Sequence, residues 1–180
     1  SAWARQMSIE MLQGASPQRA AEQSLAACAR AAAANPGSEE EGIHHVEYDV
    51  YFSLAFYERE HGRDPTPALD KALTSARNGI MKSPQSPFFH DAAATVLIFQ
   101  ARELLTGGGD ATRLLGMAQA YLQKAIELNP NIARHFNDRG GLGLVQCHQR
   151  LFLGLDCEAI LPEILADFKR ARQLSPRVFA

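Results

Sequence analysis

Apolar and small residues recur along this chain at helical spacing, in four copies of one 20-residue segment. At residues five, eight, twelve and fifteen from the start of each segment stand Ala21, Ser24, Cys28 and Ala31; Leu69, Ala72, Ala76 and Gly79; Leu115, Ala118, Leu122 and Ala125; and Leu161, Ile164, Phe168 and Ala171. Steps of three and four residues place each set on one helical face, while Gln23, Lys71, Lys124, Lys169 and Arg170 fall largely outside it. The segments open on Ser16, Asp64, Asp110 and Asp156, whose side chains accept hydrogen bonds from the first unpaired amides of a helix. They close on Pro36, Pro84, Pro130 and Pro176, which lie 48, 46 and 46 residues apart. Proline cannot donate to the preceding turn, and it pushes the residue before it out of the helical region.

Between these segments the pattern predicts longer helices over 40–61, 87–106 and 133–153, with a shortened first member over 2–13. Aligned backward from the caps, Trp3, Tyr51, Leu97 and Gly143 share one register, and Tyr48, Ala94 and Gly140 share another one turn earlier. The small members permit close approach of the paired helix. Gly14, Gly62, the Gly107–Gly109 run and Gly154 stand between each long helix and the next cap as C-terminal stops. Val46, Tyr48, Val50 and Phe52 alternate as a strand would, but the repeat frame assigns them to a helix. The expectation is an all-α, right-handed α-solenoid of four antiparallel helix hairpins. It forms one repeat domain over 1–180, with units near 1–37, 38–84, 85–130 and 131–180, in which each unit buries its apolar face against its neighbours.

The second-helix signature Ala118-x-x-x-Leu122-x-x-Ala125-x-x-x-x-Pro130 resembles that of the tetratricopeptide repeat family. Ile164, Phe168, Ala171 and Pro176 follow it with one bulky replacement, and Phe136 and Gly140 fit the first-helix positions, where His44 and His90 stand elsewhere. The repeats are about a dozen residues longer than that family's usual unit. They look like the extended repeats that follow the catalytic domain in some bacterial serine/threonine protein kinases. The resemblance implies a non-catalytic scaffold that binds a peptide or helix of a partner, as a docking or regulatory region beside a kinase domain.

Composition adjusts this picture only slightly. The chain is 46% hydrophobic and 21% charged, with a formal charge of −2, which supplies no electrostatic footprint for nucleic acid. It carries no apolar run that spans a bilayer and no leader, so a cytoplasmic location is expected, and the repeat frame suggests a segment excised from something longer.

Cys28, Cys147 and Cys157 form no C-x-x-C pair and read as reduced thiols. Adjacent His44 and His45 point about 100° apart on a helix, and no carboxylate-bearing metal motif accompanies them, so neither a metal nor a cofactor is expected. The triple glycine lacks a preceding strand and is followed by the anionic Asp110, which makes it a turn rather than a phosphate cradle. Glu47, Asp49, Glu58 and Glu60 read as a solvated face, and no kinase catalytic element is present.

By the family resemblance, the first helices line a concave wall. Its inward positions are His45, Asp49, Phe52 and Ser53; Asp91, Thr95, Ile98 and Phe99; and Arg134, Asn137, Leu144 and Val145. The apolar members suit anchor side chains of a partner, and Asp91, Arg134 and Asn137 suit fixing its direction. Two rival readings are a structural module that self-associates through its open repeat ends, and an enzyme with a site between helices.

Overall fold

The computed structural model describes residues 17–34 and 40–176. The chain divides into two compact units, Ser1–Pro84 and Gln85–Ala180, at the boundary expected between the second and third sequence units. The expected helix over 2–13, Trp3, Gly14, Ser16, Pro36 and the side chain of Ala31 lie outside the described residues.

The first unit contains α1 (Gln18–Ala34), α2 (Glu40–Glu60) and α3 (Thr66–Lys82). The alternating 46–52 segment is helical, inside α2, as the repeat frame requires. Ala20 and Ala21 of α1 pack with Val50 of α2, flanked by Leu25, Val46 and Leu54. Ser24 is buried on the same stripe because its hydroxyl donates to the Ala20 carbonyl at 2.8 Å. The α2–α3 pair forms an extensive helix hairpin, with Leu69, Ala72, Ala76 and Gly79 all buried on α3.

The second unit contains α4 (Pro87–Thr106), α5 (Thr112–Leu128), α6 (Ala133–Phe152), a single 3-10 turn (Glu158–Ile160) and α7 (Leu161–Leu174). Helices α4 and α5 pair, α6 and α7 pair, and α6 also packs on α4 and α5. Leu115, Ala118, Leu122 and Ala125 are buried along α5, and Ile164 and Ala171 along α7. Helix α4 is buried nearly all round from Phe89 to Ala101, because apolar and small residues occupy most of its circumference there.

The helix ends follow the sequence with three refinements. Positive φ falls at Gly62, Gly108 and Gly154, so the middle turn places its left-handed residue one position after Gly107. In each turn two amides return to the helix: Gly62 to Arg59 and Arg63 to Glu58, Gly108 to Leu105 and Gly109 to Leu104, Gly154 to Leu151 and Leu155 to Arg150. This double closure requires the left-handed conformation that glycine adopts without a steric cost. The aspartates act one residue outside the helix boundary: Asp64, Asp110 and Asp156 accept from the amides of Thr66, Thr112 and Glu158 at 2.9, 2.8 and 2.9 Å. The third refinement corrects the fourth segment, which does not run as one helix from Asp156. Pro162 lacks the N–H that would donate to Glu158, and its ring would crowd that carbonyl, so the α-helix starts only at Leu161.

Close approach of α6 and α7 rests on two glycines. A Cβ on Gly140 would lie 2.8 Å from the Phe168 ring, and one on Gly143 would meet Ile164 still more closely. On the fourth stripe Ile164 stands where the other units have Ser24, Ala72 and Ala118, and Phe168 where they have Cys28, Ala76 and Leu122. The volume added on one helix is removed from the other.

Two measurements check this packing. Leu122→Ala is expected to lower stability by roughly 2–5 kcal/mol, because the side chain is fully buried. Lys124→Ala, on the exposed side of the same helix, is expected to change it by about 0.5 kcal/mol or less; equal urea midpoints would refute the register. Gly143→Ala gains about 1 kcal/mol of helix propensity but meets an overpacking penalty of about 1–3 kcal/mol, so a net loss is expected. Trimming Ile164 to Ala in the same chain should recover part of that loss; additive effects in the double-mutant cycle would show that the two residues do not share the space.

Candidate functional site

Two arrangements of polar and apolar side chains stand out in the second unit, on opposite sides of α6. A residue advances 100° around a helix, so Arg139, Leu142, Gly143 and Gln146 share one face of α6, while Arg134, Asn137, Leu144 and Val145 share the other.

The first face floors a groove of about 810 Å³ between α5, α6 and α7. Gly116, Ala120, Leu142, Gly143, Ile164 and Ala166 give it a small-residue and apolar floor, and Gln119, Gln123 and Gln146 stand along it with Arg139, Glu163 and Asp167. A second space of about 500 Å³ shares Gly116, Gln119, Gln146, Ile160 and Glu163 with the first, and extends the groove toward Leu153 and Leu155. Gln146 donates to the Gln119 amide oxygen at 3.1 Å, and Gln123 donates to Glu127 at 3.1 Å. Each primary amide carries two donors and two acceptor lone pairs, so these contacts orient the amides and leave capacity toward the groove.

The charged pair in the groove is already matched. Arg139 reaches Asp167 with both Nε and Nη2, at 2.8 and 2.6 Å, and its guanidinium also stacks 5.4 Å from the Phe136 ring centroid. The hydrogen bond to Asp167 raises the Arg139 pKa further, so this pair is a fixed, two-pronged strut and not a proton donor. Gln149, buried on α6, closes the far end by accepting from the Ala111 amide at 2.9 Å and donating to Asp110 at 3.0 Å. One side chain thereby ties the start of α5 to α6. Spacing alone did not reveal this tie; a polar residue on an otherwise buried helix face is the only signal the sequence offers for it.

The opposite face carries part of the predicted wall. Asp91 on α4 is buried, and its carboxylate lies 2.9 Å from Arg134 Nε and 3.1 Å from His135 Nδ1. His135 is buried with it, and its Nε2 has no hydrogen-bond partner. The structure thus brings Asp91 and Arg134 together, with Asp91 engaged inside the protein. Ile98, Phe99 and Val145 are also buried, leaving them little surface for a partner; on α4 the cause is the apolar character of the whole helix circumference. Thr95 is half-buried and donates to the Asp91 backbone carbonyl at 3.0 Å, and half-buried Asn137 donates to Asp138 at 3.2 Å. Leu144 is 49% exposed and Arg134 is exposed.

In the first unit, His45 is exposed 3.7 Å from half-buried Asp49, Phe52 stacks on Tyr48 at 5.6 Å, and Ser53 is half-buried. His44 pairs with Glu47 at 3.0 Å.

The titratable groups divide by environment. Burial, then repulsion from Asp91, raises the Asp138 pKa against the opposing pull of Arg134 and Asn137. Hydrogen bonds from Thr112 lower that of exposed Asp110. Burial, reinforced by the neighbouring Cys157 side chain, pushes the Cys147 thiol up to about 11, so little of it is thiolate at neutral pH. Among the described residues no group of three His, Cys, Asp or Glu side chains is placed to hold a metal ion, and no helix is long and apolar enough to cross a membrane.

Comparison with protein-family models and with curated proteins finds no match for the chain.

The opposite shifts of Asp138 and Asp110 have opposite consequences for stability. A folded pKa raised above its unfolded value is a penalty that is full above the folded pKa and disappears as pH falls toward the ordinary value of 3.8. Asp138→Asn is therefore expected to stabilise the protein at neutral pH, with the gain shrinking on acidification. Asp110→Asn is expected to destabilise it, with the loss persisting until pH falls below the ordinary carboxylate range. Urea midpoints of the two variants across pH 3–7 would check both signs, and a gain from Asp138→Asn that grows on acidification would refute the assignment.

Proposed function

We propose that this chain is a non-catalytic recognition scaffold of the tetratricopeptide-like α-solenoid class, and that the groove between α5, α6 and α7 receives a peptide or helical segment of a protein partner. The observation that carries this reading is the groove itself: glycine and alanine on its floor allow close approach of a backbone, while fixed glutamine amides stand where main-chain amides or polar side chains would pass. Its Arg139–Asp167 charge pair is internally compensated, which supports holding a ligand over transforming it. The long period and helix-hairpin pattern support a docking or regulatory region beside a bacterial kinase domain as the setting.

A second surface merits a place because Leu144 and Arg134, ten residues apart along the opposite face of α6, are both exposed. This is the concave-wall reading, with its anchors reduced chiefly to these two residues in the second unit.

The test uses peptides selected on the whole chain from a displayed random library. Ala120→Glu, which places a charge and bulk in the groove from an exposed position, is expected to weaken the selected peptides at least about tenfold, equivalent to 1.4 kcal/mol, without changing the melting midpoint. Leu144→Glu is expected to leave them bound. The reverse outcome assigns binding to the opposite face, and failure to select any binder that either substitution weakens would overturn the recognition reading.

A further inference from the structure

We propose that Cys147 and Cys157 are an oxidisable pair that closes into a disulfide between α6 and the turn leading to α7 when the protein meets a hydroperoxide. The two residues come from opposite sides of the Gly154 turn, and the Cys147 sulfur lies 3.9 Å from the Cys157 carbonyl oxygen. A carbonyl oxygen stands about 2.4 Å from its own Cα, so the sulfur is at most about 6.3 Å from the Cys157 Cα. Rotation of the Cys157 side chain, together with adjustment of the exposed 153–156 turn, supplies the remaining approach to bridge geometry. Both thiols are free, with Cys147 buried and Cys157 half-buried on the turn. The ionisation of Cys147 also responds to charge on Cys157, which independently places the two sulfurs in one electrostatic neighbourhood.

The exposures divide the roles. Cys157 meets the oxidant: its thiolate attacks a peroxide oxygen, the O–O bond breaks, and a sulfenic acid forms as one water leaves after proton uptake. The Cys147 thiolate then attacks that sulfur, the S–O bond breaks, and the second oxygen departs as water. Two thiols lose two electrons and two protons, and one hydrogen peroxide is reduced to two waters. Both steps consume a thiolate, so closure is faster at higher pH.

The consequence falls on the groove. Leu153 and Leu155 lie within the loop that the bridge closes, and Ile160 follows three residues after it; all three line the groove's extension. Closure therefore restricts that rim, coupling its shape to the redox state. The chemistry stands whether or not the groove binds a peptide.

The experiment treats the whole 180-residue chain with hydrogen peroxide, blocks remaining thiols by alkylation, and maps the peptides without reduction. The expected product is a 147–157 linkage within one chain, lighter by two hydrogens and reversed by dithiothreitol. It should persist in Cys28→Ser and disappear in Cys147→Ser and Cys157→Ser. Cys147→Ser should also accumulate a sulfenic acid at Cys157 that dimedone traps. Alkylation of both thiols in the peroxide-treated wild type, or a main product that joins Cys28 or two chains, would overturn the proposal. The wild-type map decides the matter even where a variant folds poorly.

Discussion

The closeness of α6 to α7 is the constraint on which the best-defined part of this protein depends. Interiors pack at near-crystalline density, so a helix pair keeps its spacing only if bulk on one partner is matched by a gap on the other. Gly140 faces Phe168 and Gly143 faces Ile164, at distances that leave no room for a methyl group. At the equivalent registers of the preceding hairpin stand Ala94 with Leu122 and Leu97 with Ala118; in the α2–α3 hairpin stand Tyr48 with Ala76 and Tyr51 with Ala72. Along the sequence, bulk at these registers moves from the first helix to the second while each register keeps one large and one small residue. The pairs thus vary in identity and preserve a division of volume.

Several polar contacts depend on that spacing. The two-pronged bond from Arg139 to Asp167 spans α6 and α7 and requires both backbones to be held at fixed separation. Gln149 performs a different task from the same helix, since its amide satisfies the Ala111 N–H and the Asp110 carboxylate at the start of α5. An unpaired buried amide would cost about 1–3 kcal/mol, so this side chain helps set how the two hairpins of the unit meet. The groove lies between these two ties. Its walls are positioned by contacts that do not themselves need a ligand.

Much of the helical organisation was legible because it is local. Caps, terminating prolines and left-handed glycines each act within a few residues, and their spacing gave the described helix limits to within a few residues, except at the start of the last helix. Pro162 explains that exception: it sits inside a periodic apolar pattern, where periodicity argues for continuation and backbone chemistry for a break, and the backbone chemistry prevails. The wall residues were less legible because facing depends on what packs on each side. Periodicity marks which side of an amphipathic helix is apolar, but α4 has no polar side wide enough to define an outside, and so Asp91, Ile98 and Phe99 became interior residues. The groove could not be read from spacing, since it exists only where Gly116, Gly143 and Ala166 come from three different helices.

Helix α6 carries two environments whose electrostatics differ in kind. On the groove side, Arg139 and Asp167 neutralise each other and the remaining polar groups are mostly amides, which have no charge to lose with pH. On the other side, two carboxylates, Asp91 and Asp138, share Arg134, whose Nε lies 2.9 and 3.3 Å from them. Burial, then repulsion between the two anions, outweighs what one shared guanidinium supplies, and the Asp138 pKa rises. The distinction bears on where a ligand is accommodated most easily. A partner entering the groove meets oriented amides, a neutral pair and one exposed carboxylate, Glu163, whereas one reaching across Arg134 competes with Asp91, which would leave a buried carboxylate with only His135 beside it. That cost favours the groove over the opposite face, although both belong to the same helix.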